Sequence, residues 1–72
     1  MNILSEDQIK ALRERYPKGC VVRLIQMIDD QAPPAGTKGK VMFVDDIGTI
    51  HIRWENGSSL GAIPGEDIID IV

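Results

Sequence analysis

Residues 49–57 read Thr-Ile-His-Ile-Arg-Trp-Glu-Asn-Gly, an alternating segment that runs directly into a turn sequence. Ile50, Ile52 and Trp54 fall on one face of an extended chain, because successive side chains of a strand point to opposite sides. The Asn-Gly pair at 56–57 favours a hairpin turn, since both residues tolerate positive φ. The segment therefore predicts a half-buried strand that folds back into a second strand.

Other β-rich segments lie on both sides of this hairpin, each bounded by glycine, proline or aspartate. Alternation places Val22, Leu24 and Val41 inward. The Pro-Pro pair at 33–34 makes residues 29–36 a loop, and Pro-Gly at 64–65 predicts a single 3₁₀ turn before the last strand. The sequence thus predicts five strands, at residues 20–27, 38–44, 49–54, 58–63 and 68–72.

A helix precedes the strands. Ser5 and Gln8 have the spacing of a capping box, in which each side chain binds the backbone N–H of the other residue. Ile9, Leu12 and Tyr16 follow at i, i+3 and i+7 and so form one apolar face. This predicts a helix over residues 5–16, which is too short to be stable unless it docks on the strands.

Five short strands within residues 20–72 are too few for a sandwich of ordinary size. A closed barrel suits them better, because closure removes exposed strand edges. We therefore expect one domain over residues 1–72 and a mainly β fold. It would consist of a short N-terminal α-helix and, over residues 19–72, an SH3-like small five-stranded barrel.

Composition excludes several classes of protein. The chain has 72 residues, a net charge of −3 and a single cysteine, so no intramolecular disulfide can form. No segment approaches the roughly 20 apolar residues of a membrane span, and the first residues turn acidic before an apolar run develops. We expect a cytoplasmic protein with no membrane partner.

No catalytic or metal-binding pattern is evident. Cys20 and His51, the only thiol and the only imidazole, are predicted on opposite faces of their strands. The Asp pairs at 29–30 and 45–46 lack the ligand spacing of a calcium loop and suit turn capping. We therefore predict no catalytic residue, no metal, no cofactor and no small-molecule ligand, and expect the protein not to be an enzyme.

Charge is distributed unevenly along the chain. The first three predicted strands contain cations and a histidine but no carboxylate, whereas the acidic residues lie in the connections. This pattern predicts a basic strand face for nucleic-acid phosphate or an acidic protein. Two simpler interpretations remain open: the cations serve solubility, or the helix acids Glu6 and Glu14 cover them. The candidate partner-binding residues are Arg23, Lys38, Lys40, His51, Arg53 and Trp54.

Residues 18–25 (Lys-Gly-Cys-Val-Val-Arg-Leu-Ile) and 36–41 (Gly-Thr-Lys-Gly-Lys-Val) resemble the KOW pattern of two glycine-led strands joined by a loop. KOW modules are SH3-like and often sit on ribosomes or RNA polymerase, so this resemblance implies the fold more than the function.

A second resemblance covers nearly the whole chain. It is carried by Leu-Arg at 12–13, Tyr-Pro at 16–17, Gly19, Val22, Leu24, Met27, Pro34, and residues 36–41, 44–51 and 54–60. The chain resembles domain of unknown function 4314, a family of Gram-positive bacteria and often of their phages and conjugative elements. Cys20 replaces a typical threonine and Glu55 a typical aspartate. Neither change disturbs the strand pattern, and the family has no assigned activity.

These observations lead to two hypotheses. The first is a non-enzymatic protein-interaction module of a phage or mobile element, which contacts its partner through the barrel rim near Trp54 and the loop 29–36. The second is a nucleic-acid-binding small barrel that uses the basic strand face.

Overall fold

One α-helix and a four-stranded antiparallel sheet make up the computed structural model, which describes residues 4–72. The helix α1 spans Glu6–Arg15, and the strands are β1 (Val21–Gln26), β2 (Lys38–Val44), β3 (Ile50–Trp54) and β4 (Ile68–Ile71). Their order in the sheet is β3-β2-β1-β4. The predicted mainly β class with one N-terminal helix is confirmed.

The inner face of the sheet carries the core, as the alternation predicts. Val22, Val41 and Ile52 lie on three neighbouring strands and are at most 1% exposed. Trp54 is equally buried, and it lies opposite Gly39 in the β2–β3 register. Burial of aliphatic side chains in three adjacent strands is the main stabilising contribution to this sheet.

The helix docks on this inner face. Tyr16 belongs to the core cluster and Leu12 packs against it. The capping box is present as predicted: the Ser5 N–H donates to Gln8 Oε1 over 2.8 Å, and the Gln8 N–H donates to Ser5 Oγ over 3.2 Å. Arg13 adds a polar contact to β2, since its Nε donates to the Val44 carbonyl oxygen over 3.2 Å.

The prediction of a closed five-stranded barrel is wrong, because the sheet is open between its two outer strands, β3 and β4. Leu12 of α1 and Tyr16, the residue that follows α1, line the space between Ile50 of β3 and Ile69 of β4. The helix and the core thus occupy the side on which a barrel would have to close.

The predicted fourth strand, residues 58–63, is reduced to a single bridge between Ile50 and Ala62. If the strand continued, Leu60, two residues before Ala62, would exchange backbone hydrogen bonds with Ile52. Instead the Leu60 carbonyl oxygen accepts from Trp54 Nε1 over 2.9 Å, and the Leu60 N–H donates to Ser58 Oγ over 3.3 Å. The Leu60 groups that would extend the strand are therefore bound by side chains instead.

Candidate binding surface on the outer face of the sheet

The outer face is the side of the sheet that points away from α1, and four cations lie on it. Arg23 of β1 lies opposite Lys38 of β2, and Lys40 of β2 lies opposite Arg53 of β3. Directly opposed side chains of antiparallel strands have Cβ atoms about 5 Å apart. The register therefore gathers these residues into one surface, and we call Arg23, Lys38, Lys40 and Arg53 the basic patch.

Carboxylates lie at the margins of the basic patch. Asp70 of β4 is opposite Arg23, and Glu55 follows β3 beside Lys38, whose carbonyl oxygen accepts the Glu55 N–H. None of the four cations forms an ion pair with a carboxylate in the described part of the chain, where the ion pairs are Arg13–Asp46 and His51–Asp45. The patch thus keeps its positive charge uncompensated at contact distance.

The helix does not cover the basic patch. Its apolar residues Leu12 and Tyr16 pack on the core, which is on the opposite side of the sheet. Arg23, Lys40 and Arg53 are exposed. The interpretation in which helix acids lie over these cations therefore does not apply to this structure.

His51 continues the outer face on β3, but its side chain has partners within the protein. Its ring is stacked on Phe43 with centroids 4.3 Å apart, and its Nε2 lies 2.8 Å from Asp45 Oδ2. Phe43 is 54% exposed, so the stack presents an aromatic surface next to the basic patch.

Asp45 contacts His51 and also caps the turn before β3. Its Oδ1 accepts the N–H groups of Thr49 and Ile47 over 2.9 and 3.1 Å. Burial by itself raises the pKa of the Asp45 carboxyl, but the hydrogen bonds from His51, Thr49 and Ile47 outweigh this and hold the pKa below its ordinary value. The turn-capping role predicted for this aspartate is what the structure shows.

Two regions proposed from sequence differ from the basic patch. Trp54 is 1% exposed and points into the core, so it offers no contact surface. The loop 29–36 is folded on itself, with the Gln31 N–H donating to Asp29 Oδ1 over 2.7 Å and Thr37 Oγ1 donating to the Pro34 carbonyl oxygen over 2.6 Å. The loop lies between β1 and β2 in the chain and so belongs to none of the strands that carry the basic patch.

The two groups considered for catalysis lie on different sides of the sheet, because Cys20 packs against the core and His51 is on the outer face, stacked on Phe43. Burial raises the pKa of the Cys20 thiol, which keeps it in the unreactive protonated form. His51 is bound to Asp45. Among the described residues no three His, Cys, Asp or Glu side chains are arranged to hold a metal ion, and no helix is long and apolar enough to cross a membrane.

Two features were not predicted from sequence. A bulge between Val41 and Phe43 shifts the alternation of β2 and turns Phe43 outward beside His51. The only sign of this bulge in the sequence is an aromatic residue in a strand whose other core residues are aliphatic. A groove of about 290 Å³ lies between α1 and β4, lined by Leu12, Tyr16, Ile69 and neighbouring residues. The groove exists because the sheet is open, and a closed barrel, as predicted from the sequence, would have no such groove.

The chain was compared with known families, curated proteins and solved structures. The family described as Domain of unknown function (DUF4314) matches residues 5–72, which is nearly the whole chain and includes α1 and all four strands. No curated protein and no solved structure matched the chain.

Proposed function

We propose that this chain, which belongs to the DUF4314 family, is a non-enzymatic protein-interaction module that binds an acidic segment of a partner protein. The binding surface in this proposal is the outer face of the sheet. The observation that carries it is the basic patch, in which the strand register brings together four cations that have no ion-pair partner among residues 4–72.

The setting of the patch supports a protein partner. Val21 of β1 lies opposite Lys40 of β2, and Ile25, also on β1, is 42% exposed. Apolar side chains therefore lie among the cations of the outer face. Mixed apolar and charged surfaces are usual at protein interfaces. The margin carboxylate Asp70 would repel a continuous phosphate backbone.

A non-enzymatic role is supported by the placement of Cys20 against the core and of His51 in the stack with Phe43, and by the use of the Asp45 carboxylate as a turn cap. The proposal also includes a cytoplasmic phage or mobile-element setting, which the family resemblance favours. We further propose that the scaffold is an open relative of the SH3-like small β fold. Support for this comes from the bridge between Ile50 and Ala62, which adds a rudimentary fifth segment beside β3.

A second candidate is single-stranded nucleic acid, and one observation favours it. The exposed ring of Phe43, stacked on His51, adjoins the basic patch. Proteins that bind single strands combine cations for the backbone with aromatic rings on which bases stack. The net charge of −3 weighs against this candidate.

The test is a fluorescence titration with two probes, an oligoglutamate peptide and an oligothymidylate of similar length. The acidic-protein proposal predicts binding of the peptide that is weakened by Arg23→Ala combined with Arg53→Ala. Preference for the oligothymidylate, with an affinity that falls steeply between about 50 and 200 mM salt, would favour the second candidate. Absence of binding by both probes at low salt would overturn both candidates.

A matched pair of variants shows whether the patch itself is responsible. Lys40→Ala and Lys10→Ala remove the same charge, but Lys40 is on the outer face and Lys10 is on α1. Lys40→Ala should weaken binding several-fold and Lys10→Ala should leave it nearly unchanged. Equal effects of the two variants would mean that net charge alone drives the association.

A further inference from the structure

The outer edge of β4 carries hydrogen-bonding groups that have no partner. The Val72 N–H donates to the Val21 carbonyl oxygen over 2.9 Å, and Arg23 pairs with Asp70, so Asp70 and Val72 turn their backbone groups toward β1. Because these directions alternate along a strand, Ile69 and Ile71 turn theirs away from β1. Neither residue has a hydrogen-bond partner on that side in the described part of the chain.

The edge is accessible and apolar. In the sheet β4 pairs with β1 alone. Ile71 is 46% exposed, and Ile68 and Val72 are exposed as well. Proteins usually protect such edges with charges or a covering element, and here Asp70 is the only charge within β4.

The groove between α1 and β4 runs beside this edge. Leu12 of the helix and the C-cap residue Tyr16 form one side, and Ile68 and Ile69 of β4, with Asp67 of the preceding turn, form the other. A chain that pairs with Ile69 and Ile71 would place alternate side chains on the inner side of the sheet, where the groove lies. Strand addition with pockets for alternate side chains is a recurrent mode of peptide recognition.

We infer that the edge of β4 and the adjoining groove bind an extended peptide of a partner protein, with the pattern apolar–basic–apolar. The peptide backbone pairs with Ile69 and Ile71, its apolar side chains lie on the inner side over the groove, and its basic side chain lies beside Asp70 on the outer side. This site is distinct from the basic patch and goes beyond the proposed function.

The charge of the edge selects this occupant over a second copy of the chain. A symmetric pairing of two β4 strands that used both Ile69 and Ile71 would centre on Asp70 and place it directly opposite its own copy. Like charges directly opposite each other destabilise strand pairs. A lysine or arginine of the peptide opposite Asp70 stabilises the pairing instead.

The test uses a capped five-residue peptide, Thr-Val-Lys-Val-Thr, followed by amide chemical shifts of the isotope-labelled protein. We expect shifts at Ile69 and Ile71, and weaker binding of a peptide with glutamate in place of lysine. Methylation of the two valine nitrogens of the peptide should abolish binding, because it removes the donors that pair with β4. Shifts confined to the outer face, or none at all, would overturn the inference.

Two protein variants complete the test. Ile71→Pro removes an N–H that points away from β1, a position where an edge strand tolerates proline, and should weaken peptide binding about tenfold, whereas Ile71→Val should not. Asp70→Lys should reverse the preference between the lysine and glutamate peptides. Unchanged preference in Asp70→Lys, or concentration-dependent dimerisation through β4, would contradict the inference. Lys40→Ala should leave peptide binding unchanged, which separates this site from the basic patch.

Discussion

Gly39 shows how closely single residues are fitted in this small core. A Cβ atom on Gly39 would lie 2.6 Å from Ile52 Cγ2 and 2.8 Å from Trp54 Cε3, distances that require the neighbours to move. Both neighbours are 1% exposed and are packed within the core cluster. Absence of a side chain at position 39 therefore allows the Trp54 ring to approach β2 closely.

Gly39→Ala should lower the free energy of unfolding by about 1 to 3 kcal/mol, the usual cost of overpacking a core. The measurement is urea denaturation followed by fluorescence. Lys40→Ala is the matched control, because it changes the next residue of β2 on the exposed face and should shift stability by no more than about 0.5 kcal/mol. Equal effects of the two variants would contradict this account of the core.

Asp45 should make the free energy of unfolding depend on pH in the acidic range. Since its pKa is lowered in the folded state, its contribution is fully present above the ordinary value of 3.8 and is lost as the pH falls through the folded value. Asp45→Asn keeps an acceptor for the Thr49 N–H but has no carboxylate to titrate. It should be less stable than the parent at neutral pH and lose less stability on acidification.

Urea midpoints at neutral pH and at about pH 2.5 measure this difference. Asp30→Asn serves as the control, since Asp30 is an exposed carboxylate of a different loop, and it should retain the acid sensitivity of the parent. An equal loss of stability in the parent and in Asp45→Asn would show that other groups determine the acid response.

At the level of elements, the docking of α1 should depend on burial rather than on its ion pair. Arg13 Nη2 lies 3.0 Å from Asp46 Oδ1, but the Asp46 side chain is fully exposed. Exposed pairs contribute at most about 1 kcal/mol. Leu12 packs against the core, and its truncation removes buried methyl groups.

Leu12→Ala should therefore cost about 2 kcal/mol or more, and Arg13→Ala about 1 kcal/mol or less. Circular dichroism at helical wavelengths during urea denaturation compares the two variants. A larger loss for Arg13→Ala would mean that the contacts to Val44 and Asp46, rather than apolar burial, hold the helix on β2.

The elements also show how far the sequence could predict this fold. Capping pattern, helical spacing and strand alternation are local signals, and they predicted α1 and the inward phase of Val22, Leu24 and Val41 correctly. Closure is not local: whether residues 58–63 complete a strand depends on where the Trp54 indole finds an acceptor. The basic residues were predicted as a set, but the register that pairs them depends on the turns and the bulge.

For the molecule as a whole, the open sheet separates surfaces of different character. The outer face is basic, the inner face is covered by α1, and the β4 edge is apolar with one acidic residue. A chain with a net charge of −3 can therefore present a positive surface, because most of its carboxylates lie in α1 and the connections. Charge placement, rather than net charge, distinguishes its possible partners.

The helix and the sheet should unfold as one cooperative unit. A ten-residue helix is marginal alone. Leu12 of α1 packs against the cluster that contains Trp54, and Tyr16, the residue that caps the helix, belongs to that cluster. Trp54 is the only tryptophan, so its fluorescence reports the core while far-ultraviolet circular dichroism reports α1. The two urea transitions should coincide, with a slope of about 1 kcal/mol per molar urea for a chain of this size. Loss of the helical signal at lower urea than the fluorescence change would contradict this prediction. It would show that α1 detaches from a sheet that persists without it, and that Leu12 and Tyr16 contribute less to the stability of the core than their burial indicates.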